Sequence, residues 1–230
     1  MTKIIVRTRR EHATCIHVCG ATLEADLVIP LGARGLVILS QYIDGGAFSH
    51  PCRVVAGWLQ KAGWGTLLLG MLTPRESEME SYAGRSRPDV HLLADRLSAT
   101  SDWCRRNYGE TGRHLGYFGF AATAAAALVA AGSQPDAVKA VVAWNGPLST
   151  NMREIFQIKA PTRLIVSEYD PGLLASNCQA LRRLTSVKDL AVISRSPVMP
   201  DEPGAIQKVA LSSIDWFQRH LNRPPQEGYG

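Results

Sequence analysis

The sequence predicts an α/β protein whose core is a mostly parallel sheet, with helices on both faces and an N-terminal antiparallel hairpin. Short apolar segments of strand length alternate with longer helical segments along most of the chain, which is typical of βαβ order. Hydrophobic residues make up 46% of the chain and charged residues 20%, a composition typical of a globular protein. A length of 230 residues fits one large domain, which we place at 1–222, followed by a flexible tail at 223–230.

The predicted sheet begins with two apolar segments around Gly20, at 13–18 and 21–29, that indicate a hairpin at a sheet edge. The run Gly35-Leu-Val-Ile-Leu-Ser40 is typical of a strand buried on both faces of a parallel sheet. The later predicted segments are helix 50–62, strand 65–69, a polar loop at 73–88, helix 90–107, strand 115–118, helix 121–131, strands 137–143 and 162–166, a helix ending at 184, strand 190–193 and helix 202–221.

Composition also excludes several classes of protein. No apolar run approaches the roughly 20 residues that cross a bilayer, and the first residues lack the hydrophobic segment of a secretory signal, so we expect a cytoplasmic protein without a membrane partner. The net charge is +5, but the basic residues are dispersed, so no nucleic-acid partner is expected. Five scattered cysteines do not form a disulfide framework.

No cofactor or metal is expected. Cys15, His17 and Cys19 share one region of an alternating strand, but a zinc site needs a second pair of ligands, and the sequence shows none. Packing at an edge strand is therefore the favoured interpretation of these residues.

The loops that follow the predicted strands are the expected location of a functional site, because ligands bind beyond the carboxyl ends of the strands in such sheets. Four of these loops, beginning at Ser40, Gly119, Ser167 and Ser194, should converge.

Several segments together resemble one family over roughly residues 21–221. They are Gly35-Leu-Val-Ile-Leu, the helix around Arg53, Met71-Leu-Thr-Pro-Arg-Glu, Gly116-Tyr-Phe-Gly followed by alanines, Ala160-Pro-Thr-Arg-Leu-Ile-Val, Glu202-Pro-Gly-Ala and Asp215-Trp-Phe-Gln-Arg-His-Leu. On these residues the chain resembles the dienelactone-hydrolase-like α/β hydrolases, above all the small bacterial proteins that also occur fused to phosphoribosyltransferase domains. The resemblance implies an α/β-hydrolase fold.

The resemblance also implies where a catalytic triad would lie. The family's nucleophile elbow, G-x-S-x-G, reads Gly119-Phe-Ala-Ala-Thr123 here, so Ala121 occupies the serine position. The histidine position, counted back from Glu202-Pro-Gly, holds Val198, and the sequence has no histidine between His114 and His220. Of the three triad positions, the acid alone matches, at Asp170.

Other residues of the expected pocket leave alternatives open. Ser40-Gln41 replaces a His-Gly pair that the family often carries near its oxyanion hole. Arg53 lies near a helix N-terminus, where it would bind an anion or act as a structural donor. The expected pocket also includes Tyr42, Phe120, Ala122, Glu168 and Arg195.

Asp170 allows two interpretations. It is a functional carboxylate with a new partner among Glu168, Ser194 and Arg195, or it caps the helix that begins at Pro171, and capping is favoured. Thr123 lies at the wrong place in the elbow to replace the nucleophile. The charged segment 73–88 is a solvated loop or, less favoured, a lid or a contact surface for a partner.

Two functions from different classes follow. The favoured one is a non-hydrolytic homologue that binds a small ligand or a protein partner. The alternative is an enzyme of altered, non-covalent chemistry, of isomerase, lyase or cyclase type, that uses Asp170 and polar pocket residues. The ligand and the oligomeric state stay open.

Overall fold

The computed structural model describes residues 8–42, 49–82, 89–148, 152–194 and 203–221. Its strands are β1 Thr8–Val18, β2 Ala21–Pro30, β3 Leu36–Gln41, β4 Gly65–Gly70, β5 Leu115–Phe120, β6 Val138–Trp144, β7 Thr162–Ser167 and β8 Lys188–Ile193. Its helices are α1 His50–Lys61, α2 Pro74–Tyr82, α3 Val90–Asn107, α4 Gly109–Arg113, α5 Ala122–Ser133, α6 Pro171–Arg183 and α7 Pro203–His220, with a 3-10 helix at Arg153–Gln157.

All eight strands of the described residues form one sheet in the order β1-β2-β4-β3-β5-β6-β7-β8. The hairpin β1–β2 is antiparallel and lies at one edge, and β2 also pairs antiparallel with β4. Every other neighbouring pair is parallel, which confirms the predicted architecture. The carboxyl ends of β3 to β8 therefore meet at one edge of the sheet, where a site is expected.

Helices cover both faces of the sheet. One core cluster joins α3, α5 and α6 to the sheet, and a second joins α1 and α7 to the opposite face. Helix α5 is almost wholly buried because its alanines let it lie between β5, β6, α3 and the 3-10 helix. Among the residues described, no helix is both long and apolar enough to cross a membrane.

The segment that follows β4 differs from the prediction of a polar loop, since α2 occupies most of it. The side chains of Thr73 and Glu76 cap each other's backbone N–H groups, at 2.8 Å and 3.3 Å. Buried Arg96 of α3 binds Glu76 at 2.6 Å and the Met71 carbonyl at 2.8 Å. The Arg96 guanidinium holds the pKa of Glu76 at about 2, so this pair fixes α2 on α3 despite its polar sequence.

Candidate functional site at the carboxyl edge of the sheet

The turn from β5 into α5 consists of one residue in a rare conformation. Ala121 has φ 51° and ψ −116°, which a side chain with a Cβ seldom adopts. Its N–H donates to the Trp144 carbonyl at 2.9 Å, so β6 holds the turn in place. Such a conformation costs about 1–3 kcal/mol and persists only where the surroundings impose it. The sharp strand-to-helix elbow predicted from the sequence is therefore formed.

The glycine that precedes the elbow lets α5 lie directly on β5. A methyl group at Gly119 would lie 2.6 Å from Ala124 Cα and 2.8 Å from the Thr123 carbonyl oxygen. Both are backbone atoms that cannot move without moving the helix. The elbow thus keeps the steric arrangement that the first glycine of G-x-S-x-G provides.

Thr123, at the last position of the elbow motif, connects two strands. Its side chain is fully buried, and its hydroxyl donates to the Ser40 carbonyl at 2.6 Å while accepting from the Phe120 N–H at 3.1 Å. The single proton of this hydroxyl is used in holding the end of β3 to the elbow. This position gives Thr123 a structural role, consistent with the expectation that it does not replace the nucleophile.

The end of β3 carries buried polar side chains. The Ser40 hydroxyl donates to the Phe118 carbonyl at 3.4 Å, and Gln41 Oε1 accepts from the Ser49 N–H at 3.0 Å and hydroxyl at 2.8 Å. Within the described residues, the buried atoms Gln41 Nε2 and Tyr42 Oη have no hydrogen-bond partner. Where the family often has a His-Gly pair, Gln41 here holds the residue that precedes α1.

The loop after β7 holds Asp170, which the resemblance predicted to lie at the position of the triad acid. Asp170 is exposed and caps α6, because its Oδ1 accepts from the Leu173 N–H at 2.8 Å. Exposed Glu168 accepts instead from the Ser194 hydroxyl at 2.7 Å. The structure therefore places Asp170 in the capping role that Pro171 predicts.

Two asparagines that were not predicted from the sequence form hydrogen bonds to the backbone at the carboxyl edge of the sheet. Asn145 follows β6 with φ 48°, and its Oδ1 accepts from the Ser167 N–H at 3.1 Å. Buried Asn177 of α6 donates to the Gly146 carbonyl at 2.9 Å. A polar residue directly after a strand was the available signal for Asn145, whereas Asn177 lies inside a helix and had none.

The structure brings some predicted pocket residues together and leaves others apart. Phe120 and Ala122 flank Ala121 and are half-buried, with the Phe120 ring centroid 4.5 Å from that of Trp144. Arg53 instead lies 3.9 Å from Asp26 of β2. In the sheet, β4 and β3 separate β2, which carries Asp26, from β5, which leads into the elbow.

Val198 and Arg195 lie outside the described residues. Cys15 and Cys19 are exposed, and the part of the chain that is described contains no cluster of His, Cys, Asp and Glu side chains able to hold a metal ion.

The sequence model of the dienelactone hydrolase family matches residues 37–193, which include β3, the elbow and β7. The chain belongs to the dienelactone hydrolase family. A crystal structure of a dienelactone hydrolase from Anabaena variabilis is 36% identical and covers 94% of this chain and 99% of that one, with a TM-score of 0.86. A more distant fold match is an alpha-beta serine hydrolase homologue from Coxiella burnetii, 14% identical over 89% of this chain and 96% of that chain, with a TM-score of 0.71.

Relatives of this family member also include longer proteins. Proteins from two strains of Mycobacterium tuberculosis, each named "Putative phosphoribosyl transferase", are 33% identical over 202 residues. The match covers 88% of this chain but 45% of each relative, so the chain spans less than half of their length.

Proposed function

We propose that this chain is a non-hydrolytic member of the dienelactone hydrolase family that binds a small ligand near the elbow. The observation that carries the proposal is Ala121, whose backbone has the strained strand-to-helix geometry while its side chain is a methyl group. A methyl group cannot attack a carbonyl carbon, so no covalent intermediate forms at this position. A conformation that costs energy yet persists favours continued use of the surrounding site.

The neighbouring groups support the same proposal. A serine hydrolase needs a base within hydrogen-bond reach of its nucleophile, and the sequence holds no histidine from residue 115 to residue 219. The Thr123 hydroxyl is committed to the Ser40 carbonyl, and Asp170 to the Leu173 N–H. Because the Asp170 carboxylate caps α6, this contact also weighs against the alternative that Asp170 is a non-covalent catalyst.

Labelling with a fluorophosphonate tests the proposal directly. We expect the wild-type chain to keep its unmodified intact mass under conditions that label an active serine esterase to completion. A stoichiometric adduct on any serine would overturn the proposal.

Restoring the nucleophile refines the test. Ala121→Ser alone should hydrolyse p-nitrophenyl acetate little faster than wild type, because an alcohol near its ordinary pKa without a positioned base is a poor nucleophile. Adding Val198→His should raise the rate above that of the single variant. High turnover by Ala121→Ser alone would show that a base exists elsewhere.

A protein partner is a second candidate, favoured by the mycobacterial relatives. Their matched part is less than half of each protein, and their name describes a phosphoribosyl transferase. The candidate partner is therefore a phosphoribosyl transferase domain. Co-elution of this chain with the unmatched part of a mycobacterial relative in size-exclusion chromatography would support this candidate, and separate elution at micromolar concentrations would contradict it.

A further inference from the structure

A cavity of about 410 Å³ lies beside the first two turns of α5, next to the start of α3 and the 3-10 helix. Ala125, Val129 and Met152 contribute apolar lining, and His91, Arg153 and Glu154 contribute polar lining. Its volume falls within the roughly 300–1,000 Å³ of typical small-molecule pockets. None of the functional assignments above uses this cavity.

The cavity follows from the sequence of the elbow helix. Ala125 and Val129 are four residues apart and so lie on one face of α5, and Ala122, three residues earlier, carries that face back to the elbow. A methyl group at Gly132 would overlap the Glu154 carbonyl, so the 3-10 helix rests directly on α5 at the far end. Two packed helices thus fix the shape of the cavity.

The charged side chains at the rim of the cavity differ in whether they have an ionic partner. His91 Nδ1 lies 3.9 Å from Glu154 Oε1, so the two form an ion pair when the imidazole is protonated. The nearby Asp89 carboxylate accepts from the backbone N–H groups of His91 and Leu92, at 3.0 Å and 3.2 Å. Arg153 is exposed and has no ionic partner within the described residues.

We infer that this cavity binds a small molecule with an apolar body and one acidic group. The apolar body packs against Ala125 and Val129, and the acidic group pairs with the Arg153 guanidinium at the rim. The inference goes beyond the proposed function, which places a ligand near the elbow, and rests on it because it assigns a second ligand site to a domain that binds without hydrolysis. Ala125, the first residue of α5 that lines the cavity, is four residues after Ala121 of the elbow.

The test uses three probes that share an apolar body and differ in charge: 4-phenylbutyrate, 4-phenylbutan-1-ol and 4-phenylbutylamine. In ¹H–¹⁵N NMR titrations of the chain, 4-phenylbutyrate should shift the amide signals of His91, Ala125, Val129 and Glu154. The neutral probe should bind at least tenfold more weakly because it cannot pair with Arg153, and the cationic probe should do so because Arg153 repels it and Glu154 already faces His91.

Two charge-reversal variants distinguish a direct contact with Arg153 from an effect of the protein's net charge on binding. Arg153→Glu should weaken 4-phenylbutyrate binding at least tenfold. Lys208→Glu, an equal change of charge at an exposed position of α7 on the opposite face, should leave it within twofold. Both positions are exposed, so neither variant should disturb the fold.

Several outcomes would overturn the inference: no shifts at millimolar 4-phenylbutyrate, equal binding of the amine, or unchanged binding in Arg153→Glu. Shifts confined to residues 120–123 would also reject the cavity while leaving ligand binding at the elbow intact. A fluorophosphonate adduct would reject the proposed function whatever the titrations show, so the two failures are distinguishable.

Discussion

Under the proposed function, the elbow after β5 and the loop after β7 depart from the family pattern in opposite ways. At the elbow we propose that the residue has changed while the geometry has stayed, since Ala121 occupies the strained turn with φ 51° and ψ −116°. In the loop the residue has stayed and its contacts are structural, since Asp170 is exposed and caps α6. Matching an amino acid to a family position therefore does not assign its role, and losing one does not erase the geometry around it.

The comparison teaches which parts of a catalytic site are also parts of the fold. The elbow is packed between β3, β6 and α5 by Gly119, Thr123 and the Ala121 N–H, so it is retained for stability as well as for any ligand. Asp170 contacts the first turn of one helix, and its carboxylate is otherwise exposed.

The largest expected effect comes from Gly119→Ala, which breaks the packing of the elbow. The added methyl would overlap the backbone of α5, and we expect the free energy of unfolding to fall by about 3 kcal/mol. Gly57→Ala is the matched control, because a methyl at that position of α1 meets nothing within 4 Å. In urea denaturation the control should be neutral or slightly stabilising. Equal effects at the two glycines would show that the elbow is not tightly packed.

A smaller effect is expected from Thr123→Val, which removes the hydroxyl that joins the elbow to β3. Loss of its bonds to the Ser40 carbonyl and the Phe120 N–H should cost about 2 kcal/mol. Thr100→Val is the comparison, because that buried hydroxyl donates to the Arg96 carbonyl of its own helix and should matter less. Thermal unfolding of both variants measures the difference, and a smaller loss at Thr123 would contradict the structural role.

The sequence predicted the elements that bury apolar residues, because their periodicity reflects the core. Helix 90–107 was predicted correctly, and so was the alternation of strands and helices along the chain. Helix α2 was missed because its composition is polar, although Thr73 and Glu76 form a capping box that the sequence already contained.

The site was less predictable, since its contacts join residues distant in sequence. Arg53 of α1 lies beside Asp26 of β2, and Thr123 donates to the Ser40 carbonyl, and neither contact has a local sequence signal. The cap at Asp170 was foreseeable because Pro171 follows it, which is a signal local to one helix.

Substitutions at Asp170 test the other half of the comparison. Asp170→Ala should lower the free energy of unfolding by about 1 kcal/mol because α6 loses its cap, and Asp170→Asn should cost only about 0.3 kcal/mol because asparagine caps equally well. Chemical denaturation of the two variants distinguishes a cap from a functional carboxylate. If both Asp170→Ala and Asp170→Asn kept the stability of the wild type but lost ligand binding, Asp170 would belong to the ligand site.

The most direct test of a retained elbow without a nucleophile is the paired measurement of Ala121→Gly and Ala122→Gly by urea denaturation. Ala121 has a backbone conformation that glycine adopts without strain, so Ala121→Gly should stabilise the fold by about 1 kcal/mol. Ala122 begins a regular helix, so the same change there should destabilise it by up to about 1 kcal/mol. Opposite signs are the expected result. Equal destabilisation by both variants would mean that Ala121 is not held in the strained turn and would contradict the claim that the elbow geometry has outlasted its catalytic residue.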